Sequence, residues 1–242
     1  MELSQYLDVI TNESRALADA AERADLGAHV PSCPDWTLAE LVAHVGEVQQ
    51  WARTIVEQRA SERISRRTLP RAPFGAELIP WFREQAPKLV ATLAETEPST
   101  PVWTFTDDQT AQFWFRRQAH EVAVHRWDAE LTAGSPTPIA PEVAADGVDE
   151  WLGLLPFSGL KDRLAGTGET VHLHCTDTEG EWVVTLTDDG PRTTRAHEKS
   201  DLAVRGAASD LDLFVLGRVE PSVFEVFGDA ELLERFQAAT GF

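Results

Sequence analysis

The sequence predicts an α+β protein in two parts, an N-terminal four-helix bundle over residues 1–140 and a smaller α+β domain over residues 141–242. Three observations lead there. Long stretches poor in Gly and Pro carry apolar residues at helical spacing in the first part, and short alternating runs appear in the second. Between them AGSPTPIAPE, residues 133–142, holds three prolines and a glycine, which stop helices. The charge balance shifts at the same place, from 20 acids and 13 bases up to residue 141 to 20 acids and 8 bases beyond it.

The first helix is expected over residues 3–25, where Leu3, Tyr6, Leu7, Ile10, Leu17 and Ala21 fall near one face. Thr37 with Glu40 three residues later matches a capping box, so the second helix is expected to begin around Thr37, just past Pro34. A third helix fits residues 75–95 and a fourth fits 110–132, which completes an antiparallel bundle. In the second part, residues 142–155 read as helix. Thr170 to Cys175 and Glu181 to Thr187 read as strands of a hairpin turning at DTEG. Residues 200–217 read as helix, Ser222 to Phe227 as a strand, and Ala230 to Ala239 as a closing amphipathic helix.

Composition narrows the function classes. The 242 residues carry 40 Asp and Glu against 21 Lys and Arg, a formal charge of −19, so the clustered bases that neutralise phosphates are lacking. No nucleic acid and no membrane partner is expected. The longest apolar runs fall short of the roughly 18 residues that would cross a bilayer. The N-terminus carries acids from its second residue and shows no signal peptide, and Cys33 and Cys175 form no paired pattern, so a soluble cytoplasmic protein is expected. Oligomeric state stays open.

The chemistry concentrates on two helices. On the second, Leu41, His44, Val48, Trp51 and Ile55 recur at spacings of three and four, which sets His44 in the stripe facing the bundle interior. On the fourth, Trp114, Gln118, Glu121, His125 and Asp128 share one face. Glu121 and His125, four residues apart, have Cβ atoms about 6 Å apart, which suits two ligands of one ion. If His44 faces them, two histidines and a carboxylate leave a coordination position open, as in catalytic zinc sites. Non-haem Fe(II) uses the same donor types, and a buried polar network without metal is the plainer alternative.

VPSCPDWTLAELVAHVGEVQQWA, together with RRQAHEVAVHRWDAE further on, resembles the mycothiol-dependent maleylpyruvate isomerase family. The stretches RGAASDLDLFVLGR and VFEVFGDAELLERF are similar to that family's C-terminal domain, so the resemblance covers the whole chain. It implies a DinB-like four-helix bundle followed by a sterol-carrier-like α+β domain. It implies a divalent metal, expected to be zinc, on His44, Glu121 and His125, with mycothiol as cosubstrate. The implied partners are a small-molecule thiol and an electrophilic or dicarboxylate substrate. The cation would hold the thiol as a thiolate nucleophile, either for cis-trans isomerisation of maleylpyruvate or for S-transfer to an electrophile. A binding or carrier protein, with the bundle as scaffold and a lipid or other small molecule in the second domain, is the alternative from another class.

Asp128, one turn beyond His125, is placed to orient an imidazole or carry a proton; otherwise it is an exposed carboxylate pairing with Arg116 or Arg117. The resemblance gives Arg218 a role in binding the substrate's carboxylates, with Arg205 as competitor and salt bridging as the plain reading of both. The five arginines of residues 59–73 read as a solvated loop. His120 is expected to pack, and Cys33 to be a small buried side chain. His172 and His174 share one strand face with no third ligand evident, so a sheet surface or an interdomain contact is expected there.

Overall fold

The computed structural model describes residues 1–240, in two compact units that divide after Thr137. The N-terminal unit begins with α1 (Leu3–Arg23), then a two-stranded hairpin of β1 (His29–Val30) and β2 (Cys33–Thr37) that leads into α2 (Leu38–Glu57). Thr37 and Glu40 form the expected capping box: Glu40 N donates to Thr37 Oγ1 at 3.3 Å and Thr37 N donates to Glu40 Oε2 at 2.8 Å. Each side chain thereby satisfies a donor that the helix start leaves free. The start of α2 is fixed by this exchange.

The third helix departs from the expectation. Instead of one helix over 75–95, a 3-10 turn (Gly75–Glu77) leads into α3 (Leu78–Arg83) and α4 (Gln85–Ala94), broken at Glu84. Pro87 explains the break, because it has no N–H for the carbonyl of Arg83 and its ring crowds that carbonyl. The bundle closes with α5 (Ala111–Thr132), which packs along α1 and α2, while α2 also packs along α4. Leu17, Leu38, Leu41, Val45, Phe82 and Val122 are fully buried in this core. At the end of α5, the buried Arg126 donates to Glu13 at 2.5 Å, to Glu130 at 2.9 Å and to the carbonyl of Thr137 at 2.6 Å. That network ties α5 to α1 and to the chain that follows, with its charges paired as burial requires.

The C-terminal unit carries α6 (Pro141–Leu154) and the short α7 (Leu160–Arg163), then β3 (Thr170–Cys175), β4 (Glu181–Thr187), β5 (Gly190–Thr194), β6 (Leu202–Gly206), α8 (Ala208–Val215), β7 (Glu225–Gly228) and α9 (Ala230–Thr240). The sheet order is β5-β4-β3-β6-β7, with β3 and β6 parallel and every other pair antiparallel. Val171, Leu173, Trp182, Val184, Leu202 and Val204 line one buried face, which α8 and α9 pack against. The hairpin of β3 and β4 has the bounds its alternation predicts. Residues 200–217 do not form one helix: Leu202–Gly206 is a strand, selected by pairing with β3 on one side and β7 on the other. Over five residues the apolar spacing fits either period, and only the neighbouring strands decide. No helix among the described residues is long and apolar enough to cross a membrane.

Gly46 marks a close approach inside the bundle, where a Cβ would lie 2.7 Å from Trp81 Cη2 and 3.2 Å from Phe82 Cδ2. Gly46→Ala is therefore expected to lower unfolding stability by about 1–3 kcal/mol despite alanine's higher helix propensity. Urea unfolding followed by tryptophan fluorescence measures it, and a stabilised variant would contradict the packing.

Candidate metal centre

The stripes on α2 and α5 meet. Leu41, Val48 and Ile55 are buried along α2, which carries His44 with them toward α5. Trp114, Gln118, His125 and Asp128 are buried along α5 and hold Glu121 in the same row. His44 Nε2 lies 3.1 Å from Glu121 Oε1, and His125 Nε2 lies 3.6 Å from the same oxygen. The two imidazole centroids are 5.4 Å apart at 76°. One ligand atom from each of the three residues lies within 4.8 Å of the other two, which is the spacing of donors around a single ion. Side-chain exposures of 24% for His44 and 22% for Glu121 leave one side of the set open to solvent.

Each of the three has a second partner. Arg117 Nη2 donates to the other oxygen of Glu121 at 3.2 Å. The Trp36 ring lies 4.6 Å from His44 and 6.0 Å from His125, measured between centroids, so an indole from β2 covers both imidazoles. Asp128 is fully buried; its Oδ2 accepts from His125 Nδ1 at 2.8 Å and its Oδ1 from Ser32 Oγ at 2.6 Å. The proton of His125 therefore sits on Nδ1, and Nε2 turns toward Glu121. Asp128 is thus not the exposed carboxylate of the plainer reading: it is buried against His125 and Ser32, and Arg117 reaches Glu121.

The electrostatics favour a cation at this point. Burial alone would lower the pKa of His125, but hydrogen bonds to Asp128 and Glu121 outweigh it and hold the group at about 9. Burial would raise Glu121, yet bonds from His125 and His44 and the charge of Arg117 keep its carboxyl well below the usual carboxylate range. The buried Asp128 and the part-exposed Glu121 thus flank His125, and its positive charge balances them when no metal is bound. A divalent ion in the same place would offer more charge to the same partners.

Sequence reasoning missed Ser32, Trp36 and Arg117. The first two lie in and beside a hairpin whose segments are too short to show a period. Arg117 was weighed only against Asp128. Cys33 is half-buried rather than buried, with Sγ 4.0 Å from Asp128 Oδ2. His120 is buried edge-on to Tyr6, with centroids 6.2 Å apart, as a packing residue would be. The arginines of residues 59–73 are all exposed, as expected of a solvated loop, and Arg63, Ser65, Arg66, Arg67 and Arg71 border an open hollow of about 470 Å³. In the C-terminal unit Arg218 Nη1 donates to the Leu216 carbonyl at 2.7 Å, and Arg205 pairs with Glu225 at 2.9 Å. The expectation that His172 and His174 have no third ligand nearby is overturned. Glu181 stands opposite His174 in the strand register, and His197 joins them.

A four-helix bundle presenting two histidines and a glutamate at one point, followed by an α+β unit, defines a class of bundle proteins with a candidate metal centre. Within that class the chain belongs to the mycothiol maleylpyruvate isomerase family. Residues 7–130 match that family's N-terminal domain and residues 142–235 its C-terminal domain. The fold is also similar to two crystal structures of the mycothiol-dependent maleylpyruvate isomerase. One is a histidine-to-alanine mutant, 14% identical with a TM-score of 0.67, and the other is 13% identical with a TM-score of 0.63; each alignment covers 93% of both chains. No curated protein matches the chain by sequence.

The raised pKa of His125 has a signed consequence for the protein freed of metal. Its folding contribution is fully present below the ordinary histidine value of about 6.5 and is lost as pH rises through about 9. NMR titration of the His125 ring in chelator-treated protein should give a midpoint near 9, and Asp128→Asn should move it down. An unshifted midpoint in that variant would contradict the role of Asp128.

Proposed function

We propose that the protein is a metal-dependent, mycothiol-dependent isomerase that acts on a maleylpyruvate-type substrate. His44, Glu121 and His125 hold the divalent ion, and zinc suits their nitrogen and oxygen donors. The observation that carries the reading is the convergence of these three side chains beside an open, solvent-facing side. An ion held there would supply the positive charge that lets a thiol give up its proton at neutral pH.

The chain's own residues set up that chemistry. Asp128 is a positioning residue: it keeps the His125 proton on Nδ1, which leaves the Nε2 lone pair for the ion and fixes the ring's direction. Ser32 holds the second oxygen of Asp128, so the carboxylate cannot rotate away. Arg117 does the same for Glu121 and partly offsets its charge. Trp36 shields the imidazoles on one side, so a cosubstrate approaches from the exposed side of His44 and Glu121. In the proposed reaction the mycothiol thiolate adds to the conjugated double bond of the substrate and the electron pair moves onto the adjacent carbonyl oxygen. Rotation follows about what is then a single bond. Collapse of the enolate restores the double bond in the trans arrangement and expels the thiolate, with no net gain or loss of protons.

The substrate's carboxylates need cations, and the family resemblance offers Arg218 for that task with Arg205 as its competitor; Arg218 Nη1 donates to the Leu216 carbonyl and Arg205 pairs with Glu225, so each has a partner of its own. Transfer of mycothiol to an electrophile shares the first addition, and expulsion of the thiol is what separates isomerase from transferase.

His44→Ala and His125→Ala should each lose the one equivalent of zinc held in the bundle, together with mycothiol-dependent turnover of maleylpyruvate, while keeping the far-UV circular dichroism of the parent. Full zinc content in both variants would sink the assignment. Asp128→Asn should weaken zinc binding by about 10- to 100-fold, as seen when the residue behind a ligating imidazole is altered. A competing chromophoric chelator reads that change. Product analysis separates the reactions: fumarylpyruvate with mycothiol regenerated supports isomerisation, whereas accumulation of a mycothiol conjugate supports transfer. Glutathione serves as the control thiol.

A further inference from the structure

The C-terminal unit contains a second convergence of metal-binding side chains, unrelated to the bundle set. His172 and His174 alternate along β3 and so point from the same face of the sheet. Glu181, the first residue of β4, is the register partner of His174 across the hairpin. His197 comes from the segment after β5, and its Nδ1 lies 3.0 and 3.1 Å from the two oxygens of Glu181. His174 Nδ1 is in contact with the same carboxylate. The three imidazole centroids are 5.6 to 6.2 Å apart, and one ligand atom from each of the four residues lies within 4.8 Å of all the others.

A hydrogen-bonded cluster does not account for this arrangement. Glu181 is the one carboxylate of the set, and His197 engages both of its oxygens. His172 is 7% exposed, and its Nε2 is buried with no hydrogen-bond partner among the described residues. Four ligand atoms converge within 4.8 Å of one another, and a buried ring nitrogen left without a hydrogen bond calls for a partner, which a cation at that point would supply.

We propose that His172, His174, Glu181 and His197 form a second site for a divalent transition metal, of the zinc type, within the C-terminal unit. Three nitrogens and one carboxylate oxygen are a donor set for zinc and its neighbours in the first transition row, and a poor one for magnesium or calcium. His174, Glu181 and His197 line a cleft of about 440 Å³ that also takes in Gly180 and Arg195, so the ion has a path from solvent. Cys175 borders the same cleft but is not among the four residues whose ligand atoms converge. His197, whose side chain is 79% exposed, is the closing ligand: the strands present the other three, and the segment after β5 brings the fourth.

The test is zinc titration of tag-free, chelator-stripped full-length protein against a chromophoric competitor. Three proteins are compared: the parent, His172→Ala/His174→Ala, and His44→Ala/His125→Ala. The strand double variant should bind one equivalent fewer than the parent, and the bundle double variant should retain the equivalent that the strand variant loses. Equal zinc content in the parent and the strand variant overturns the proposal. Because His172 is buried and its removal could disturb the sheet, His197→Ala provides the second arm. Its exposed side chain can be removed without a packing cost, and it should weaken that same equivalent by at least about tenfold, the size of effect known for lost ligand support. Unchanged affinity in His197→Ala likewise overturns it. Neither comparison depends on enzyme activity or on what the bundle site binds.

Discussion

Asp128 has no access to water, and a buried carboxylate is tolerated only where hydrogen bonds and a positive charge meet it. Here they come from two directions. Ser32, in the turn between β1 and β2, donates to one oxygen and His125, on the same helix as Asp128, donates to the other. The hairpin in front of α2 is thereby fastened to α5. The same strand carries Trp36 onto the rings of His44 and His125. Local backbone choices follow from this fastening: the capping box at Thr37 starts α2 where the hairpin ends, and about two turns later the helix delivers His44 opposite Glu121. Without the buried carboxylate, His125 would lose the acceptor that holds its Nδ1, and Ser32 of the hairpin its partner on α5.

The electrostatic pattern extends beyond the cluster. The chain carries −19 overall, −7 in the N-terminal unit and −12 in the C-terminal one, from counts of 20 against 13 and 20 against 8. Anionic small molecules are repelled by such a surface unless the field reverses locally. Two features of the N-terminal unit act that way, the guanidinium of Arg117 and the exposed arginines of residues 63–71, and the proposed metal ion between His44, Glu121 and His125 would add a third. The excess of acid that argues against nucleic acid thus coexists with cationic spots of molecular size.

The bundle was legible because long helices repeat their pattern many times. On α5, Glu121, His125 and Asp128 lie one turn apart within a buried row, and α2 repeats the pattern around His44, so both faces could be read from spacing alone. Shorter elements could not. Leu202–Gly206 is too brief for its period to show, and it becomes a strand because β3 and β7 flank it. The third helix looked continuous by apolar spacing, but the missing N–H of Pro87 divides it at Glu84. The histidines of β3 were visible as a pair, while their companions Glu181 and His197 lie 7 and 23 residues beyond His174. Pairing across the hairpin brings the nearer one, and the segment after β5 brings the farther.

What the sequence determined by itself was the two-part α+β plan, the stripes that carry His44, Glu121, His125 and Asp128, and the acidic character of both parts. These are local or periodic properties, encoded in residues a few positions apart. Tertiary structure alone decided that Asp128 is buried rather than exposed, that Ser32 and Trp36 belong to the site, and that four residues of the C-terminal unit share a point in space. Each of those depends on which distant segments meet. A carboxylate four residues from an imidazole is the same string of letters in water or in a core, and its chemistry is set by what packs over it.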